Sequence, residues 1–323
     1  MQNILITGSG GYIGKLLLKK CHEKIGENFQ KIVALDLHPP QKEDILEGVE
    51  YIQLDIRKHD EVASLIPKYK IDTVIHLAAI IAISGQVSRN MEYEVDVIGT
   101  SHLIDACVKH GVKRFITTSS GAAYGYWPSN VDTVLTEDMP MKGNYEIPYS
   151  YHKWLVEEKL KQVRKDNPHL EQVIFRVGTI LGASTSNPIT DYLKRDKILC
   201  LSGYESAFVA IWDMDLVEIL YKAINNGKPG IYNVAGDGSV PTKNIATMMD
   251  KPSMTLPVSL LKLAFSILRP LKLVPYGPES LKFIQYRPVL SNEKLKNEFG
   301  YTPKKTTKEV IQFWIEENYL KNK

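Results

Sequence analysis

The segment Asn3-Ile4-Leu5-Ile6-Thr7-Gly8-Ser9-Gly10-Gly11-Tyr12-Ile13-Gly14 constrains the chain more than any other. An apolar, β-prone run at 4–6 passes into Gly8, Gly11 and Gly14 and then into a helical pattern at Ile13, Leu16, Leu17 and Leu18, so it reads as strand, tight turn, helix. Gly8 permits the sharp turn, Gly11 lets backbone approach a pyrophosphate, and Gly14 lets helix and strand pack closely. The helix N-terminus at Tyr12 and Ile13 then presents unpaired N–H groups and the positive dipole end to the anion. A glycine triplet by itself also fits an ordinary surface turn. The next strand, 31–36, adds weight because it ends on Asp36, about 20 residues past the last glycine, where a carboxylate accepts hydrogen bonds from an adenosine ribose. Asp36 would repel a 2′-phosphate, which favours NAD over NADP; a solvated strand-end carboxylate is the plainer alternative.

The pattern continues with a third strand at 49–54, followed by Asp55 and Ile56. Asp55 is placed either to reach the adenine or to cap the helix expected at 60–66, and both readings stay open. A fourth strand at 73–77 runs into Ala78-Ala79, where small residues allow the backbone from Leu77 to Ala79 to lie against a cofactor or simply pack closely. A helix at 92–110 and a fifth strand at 114–118, ending in Ser119-Ser120-Gly121, complete the alternation. Strands and helices at this spacing imply right-handed crossovers, hence an α/β, Rossmann-type, doubly wound parallel sheet that binds ligand at the carboxyl ends of its strands. With 323 residues there is room for two intimately packed units. The nucleotide domain is expected at 1–178 plus about 213–235, and a smaller C-terminal substrate-binding lobe at about 179–212 plus 236–323.

Several function classes are disfavoured by composition. A net charge of +3 is too small to argue for nucleic acid or an anionic membrane. Cys21, Cys107 and Cys200 stand far apart without a CxxC or Cys/His cluster, so no disulfide framework and no metal site is expected, and a reducing cytoplasm fits. The first strand begins at once, leaving no room for a signal peptide, and no apolar run approaches the roughly 18 residues of a spanning helix. The segment 256–274 is nevertheless apolar, with Lys262, Arg269 and Lys272 interspersed. It reads as a lobe helix packed on its own domain, with a membrane-surface helix or a cover over an apolar substrate as alternatives.

The chemistry is expected at Ser120, Tyr149 and Lys153. Tyr149 and Lys153 are four apart on a helix and so share a face. A phenol is ordinarily protonated at neutral pH, but an adjacent ammonium and a cationic nicotinamide both favour phenolate. Lys153 would also bind the nicotinamide ribose, and Ser120 would hydrogen-bond the substrate oxygen whose proton Tyr149 exchanges. Tyr151 and His152 read as surface or packing residues. Residues 80–83, Tyr126, Trp127, Phe208 and Trp212 suggest apolar cleft walls, each equally readable as core.

Thr7-Gly8-x-x-Gly11-x-x-Gly14, His76-Leu77-Ala78-Ala79, Gly99-Thr100, Thr118-Ser119-Ser120 with Tyr124-Gly125, and Tyr149-x-x-x-Lys153 together resemble the extended short-chain dehydrogenase/reductases of the NAD-dependent epimerase/dehydratase type. The motifs span roughly the first 180 residues in the family's order. The resemblance implies Ser120, Tyr149 and Lys153 as catalytic triad, NAD on the glycine loop, and a homodimer packed through helices at about 92–110 and 149–166. Departures bear on substrate. Thr179 stands where sugar-nucleotide members carry a diphosphate-binding Asn, and Phe208 stands where they carry an Arg seven residues before Asp215. The acid pair of the dehydratases is replaced by Gly121-Ala122, and the Asn expected before Gly99 by Asp96. The expected function is therefore an NAD-dependent oxidoreductase acting on a secondary alcohol or ketone, with a small-molecule substrate touching Ser120, Thr179, Phe208 and Trp212. A sugar-nucleotide 4-epimerase with tightly bound NAD is the close alternative, and a non-catalytic NAD-binding redox sensor a more distant one.

Overall fold

The computed structural model describes residues 1–81, 87–274 and 277–320. Seven strands form one sheet: β1 (Gln2–Thr7), β2 (Phe29–Asp36), β3 (Val49–Gln53), β4 (Thr73–His76), β5 (Arg114–Ser120), β6 (Glu171–Val177) and β7 (Gly230–Val234). All are parallel, in the order 3-2-1-4-5-6-7, so the order reverses between β1 and β4. In a parallel sheet of this kind the crevice outside that reversal is where ligands bind.

The strands are apolar on both faces because both are covered, as crossover helices require. Alternate residues divide accordingly. Ile4, Ile6, Ile32 and Ile75 face the helices Tyr12–His22 and Asp213–Asn225, meeting Leu17, Leu216 and Leu220. Leu5, Val33, Val74 and Phe115 point the other way, onto Ile66, Leu103 and Leu160 of the helices His59–Tyr69, Thr100–Lys109 and Pro148–Asp166. Each such side chain, fully removed from water, contributes about 1.5–3 kcal/mol. The helix expected at 92–110 runs as Arg89–Tyr93 and Thr100–Lys109 joined through a widened π turn, Glu94–Gly99.

Buried polar groups register these layers. His76 at the end of β4 lies between the hydroxyls of Thr7 and Thr100, 2.7 Å from each. Burial, helped by the Lys153 ammonium, lowers this imidazole to about 3, so it is neutral and needs no counter-charge. A second core gathers Leu193, Ile198, Phe208, Val240, Ile245 and Trp314, the last carried by the helix Thr307–Ile315 that Thr306 and Glu309 begin with the expected capping box. A small seam of Tyr124, Leu135, Val209, Ala235 and Leu290 joins elements from the two halves of the sequence.

Candidate active site

The glycine loop crosses the carboxyl edge of the sheet at the reversal point. Gly8 has φ +69°, and a Cβ there would stand 2.6 Å from the Ala78 nitrogen. The turn and the segment after β4 are thus in backbone contact, closer than any side chain allows. A Cβ at Gly14 would overlap the Gly8 carbonyl, so the helix starts directly against the loop. That helix begins after Gly11 without a side-chain cap, leaving the first-turn N–H groups at Tyr12, Ile13 and Gly14 free of any capping oxygen. The Asp36 carboxylate lies beside them, accepting from the Gly10 N–H at 2.9 Å and from the His38 N–H at 3.1 Å. A Cβ at Gly10 would come within 3.1 Å of Asp36 Cγ. Gly10 therefore belongs to the site although no motif position singles it out. An anion-ready helix start, a backbone cradle that side chains would fill and a carboxylate at its rim fit a dinucleotide.

Other expected contacts are placed as follows. The Tyr12 hydroxyl donates to Asp213 at the start of the helix Asp213–Asn225, which leaves its backbone at the loop. Asp55 accepts from the Arg57 backbone N–H at 2.9 Å and from its Nε at 3.0 Å. No side chain caps the following helix, so the capping alternative for Asp55 is corrected: the carboxylate closes a local turn with Arg57 instead. Ile56 is buried in the core beside Leu54 and Val62. The segment after β4, with half-buried Leu77, Ala78 and Ala79, is anchored by Asp96, whose Oδ1 accepts from the Ile80 N–H at 2.8 Å. This gives the substituted Asp96 a definite part: it fixes the floor that the glycine loop touches.

Ser120 is the last residue of β5, and its hydroxyl accepts from the Ala122 N–H at 3.1 Å. Tyr149 sits in the first turn of the helix Pro148–Asp166, with Lys153 one turn on. The Lys153 Nζ donates to the Thr118 carbonyl on β5 at 2.9 Å and lies 5.7 Å from the centre of the Tyr149 ring. Ser150, wholly buried, donates to the Ala122 carbonyl at 2.7 Å and pins the same turn to the segment after Ser120. Further along the helix, Glu157 accepts from Ser119 at 2.5 Å and from the Nη2 of Arg176 on β6 at 2.8 Å. Burial opposes the charge on Arg176, yet Glu157 and Tyr124 hold its guanidinium above the ordinary value. A buried, charge-satisfied clamp thus sets the helix that carries Tyr149 against the strand that ends in Ser120. His152, read as a surface or packing residue, is buried, with its Nδ1 3.7 Å from Asp96.

In the second half of the chain, Phe208 is buried, and the Arg287 guanidinium lies over its ring at 3.7 Å and over Phe283 at 4.2 Å. Arg287 Nε donates to Ser206 Oγ at 3.2 Å, and among the described residues no carboxylate pairs with it. Burial lowers Arg287 to about 10, so it remains a cation at neutral pH. Tyr126 packs edge-on to Phe283 and interacts electrostatically with both Arg287 and Tyr149, which places this cation near the Tyr149 turn. Sequence reading missed Arg287; its one signal was a lone cation in the run Gln285-Tyr286-Arg287-Pro288-Val289. Thr179 is half-buried and donates its N–H to Val209. Trp212 does not join this cluster: it packs on Phe313 and beneath Lys305. Trp127 donates its indole N–H to the Lys142 carbonyl. Of residues 80–83, only 80 and 81 fall within the described residues.

A Rossmann-type sheet with a glycine loop at the reversal point and a Ser, Tyr and Lys set beside it defines a dinucleotide-binding oxidoreductase or isomerase of the short-chain type. The chain belongs to the NAD dependent epimerase/dehydratase family, whose profile matches residues 4–235. It is 22% identical over 311 residues to an uncharacterised protein of Mycobacterium tuberculosis, spanning 95% of this chain and 82% of the relative. To the UDP-glucose 4-epimerase of Neisseria meningitidis it is 30% identical over 194 residues, spanning 58% of this chain and 56% of that enzyme. The crystal structure of the Thermus thermophilus UDP-glucose 4-epimerase in complex with NAD superposes with a TM-score of 0.73 at 21% identity, over 98% of each chain.

Proposed function

We propose that the protein catalyses NAD-dependent hydride transfer at a secondary alcohol or ketone, with Tyr149 as acid/base. The observation that carries this reading is the docking of the Tyr149 turn, through Lys153 and Ser150, onto residues 118–122 at the edge where Gly8 to Gly14 and Asp36 also lie. The first-turn N–H groups at Tyr12, Ile13 and Gly14 and the Asp36 carboxylate would hold the dinucleotide, which supplies the hydride acceptor and donor. The Tyr149 oxygen takes the proton of the substrate hydroxyl as the carbonyl forms and returns it in the reverse sense. The Ser120 hydroxyl donates to that same oxygen. The Lys153 ammonium, held by Thr118, favours the phenolate electrostatically.

Arg287 favours a second, narrower reading. A buried cation with no carboxylate partner among the described residues, contributed by a segment far in sequence from the dinucleotide loop, suits a substrate with a negatively charged group. It offers from the C-terminal lobe the positive charge that Thr179 and Phe208 do not. Together with the likeness to UDP-glucose 4-epimerases this supports a sugar-nucleotide 4-epimerase, in which the ketone is re-reduced on its other face without net redox change. The two readings separate in one experiment. Protein loaded with NAD is incubated with a panel of nucleoside-diphosphate sugars and, separately, with neutral secondary alcohols, and products are followed by NMR alongside absorbance of reduced cofactor. Formation of the 4-epimer without accumulating reduced cofactor is the epimerase outcome; stoichiometric reduced cofactor with ketone product is the dehydrogenase outcome. Silence across both panels would count against the proposal.

A further inference from the structure

The helix Val258–Leu268 carries apolar side chains on more of its circumference than its packing uses. One face, Val258, Leu261 and Phe265, packs on Leu201, Leu281 and Ile284. A second, Leu260, Leu263 and Ile267, follows the i, i+3, i+7 spacing of a single stripe and points to water, and the chain continues with Leu271 and Leu273. These five side chains are between 51% and 68% exposed. A helix on a globular surface is normally polar on that side, and contiguous apolar exposure marks a surface that meets something else. Among the described residues no helix is long and apolar enough to cross a membrane, so this one can lie on a bilayer but not span it.

Charge selects the occupant. From 251 to 278 the sequence holds Lys251, Lys262, Arg269 and Lys272 and no Asp or Glu, a local +4 in a chain of net +3, so the remaining residues sum to −1. Arg269 is paired with Glu279, whereas Lys262 and Lys272 are exposed and in no ion pair among the described residues. Two copies meeting through this face about a two-fold axis would set like charges against each other. An anionic lipid surface takes the leucines and the cations together. We propose that Val258–Leu268 and the turn through Leu273 dock on an anionic bilayer surface, with Leu260, Leu263, Ile267, Leu271 and Leu273 at the acyl boundary and Lys262 and Lys272 among the headgroups. The docking helix is tied to the Arg287 cluster: Leu261 packs with Leu281, and two positions on Phe283 stacks against Arg287.

The test is co-sedimentation of the full-length protein with vesicles of phosphatidylcholine alone and of an equal mixture of phosphatidylcholine and phosphatidylglycerol. The wild type should pellet with the mixed vesicles and release at high salt. Leu263→Asp with Ile267→Asp, and separately Lys262→Glu with Lys272→Glu, should each weaken binding by roughly ten-fold or more. All four side chains are exposed, so thermal unfolding should stay at the wild-type midpoint, and light scattering without lipid should give the wild-type mass. Absence of binding to mixed vesicles, equal binding to neutral ones, or binding unmoved by the substitutions would overturn the proposal. So would a mass that falls in the Leu263→Asp, Ile267→Asp variant, which would assign the face to a second copy instead.

Discussion

Tyr149→Phe should lower turnover by about 10²–10⁴-fold while NAD affinity stays within about a factor of two of wild type. The phenol oxygen is the proton acceptor and donor in the proposed reaction, and the phenylalanine ring keeps the packing without it. Lys153 would still be held by the Thr118 carbonyl, and the Ser150 contact to Ala122 would persist, so the turn should not move. Steady-state rates paired with a cofactor titration distinguish the outcomes. A variant that binds NAD and turns over at the wild-type rate would remove Tyr149 from the mechanism, and one that loses binding would make it a structural residue. A redox sensor needs no acid/base, so a cellular phenotype that survives Tyr149→Phe would favour that reading.

Arg176→Met should be the most damaging single change to stability. Arg176 and Glu157 side chains are 3% and 2% exposed, and the guanidinium also reaches the Tyr124 hydroxyl at 2.8 Å. Removing it strands a carboxylate in the interior, a loss of about 3–5 kcal/mol, or roughly 4–7 °C in unfolding midpoint for a chain of this size. The double substitution Arg176→Met, Glu157→Leu removes the stranded charge and should recover part of that loss. Because Glu157 also accepts from Ser119, next to Ser120, the single variant should lose turnover beyond what partial unfolding explains. Calorimetry of the single and double variants checks this; a shift of under about 2 °C for Arg176→Met would mean the pair is replaceable by water.

The first half of the chain was the more legible. A strand that ends in Gly8, Gly11 and Gly14 admits few backbones, and alternation such as Ile4 and Ile6 against Leu5 announces a sheet covered on both faces. Tyr149 and Lys153 could be paired from sequence because four residues on a helix is a spatial relation fixed by local geometry. What stayed hidden depends on contacts between distant segments. Arg287 becomes notable only when Phe208 and Phe283 close around it, from positions dozens of residues apart. Glu157 carries no mark in the sequence, because its partner Arg176 comes from β6. Asp55 was open between reaching an adenine and capping the next helix because both suit a carboxylate after a strand, and only the local turn it closes with Arg57 removes the capping alternative. Trp212 suggested a cleft wall, but Phe313 and Lys305 of the final segment claim its ring. The apolar character of 256–274 was plain, whereas its division into one packed and one bare face needed the lobe against which it rests.

The most direct test of the central claim, that Gly8 to Gly14 and Asp36 hold NAD for chemistry at Tyr149, is to identify the cofactor bound. Purified protein is denatured and the released small molecules are measured by mass spectrometry; protein stripped of cofactor is then titrated with NAD and with NADP. The expected result is NAD, either co-purified in stoichiometric amount or bound reversibly, with NADP weaker by at least about 100-fold because its 2′-phosphate meets the Asp36 carboxylate. Preference for NADP, or no binding of either dinucleotide, would contradict the account.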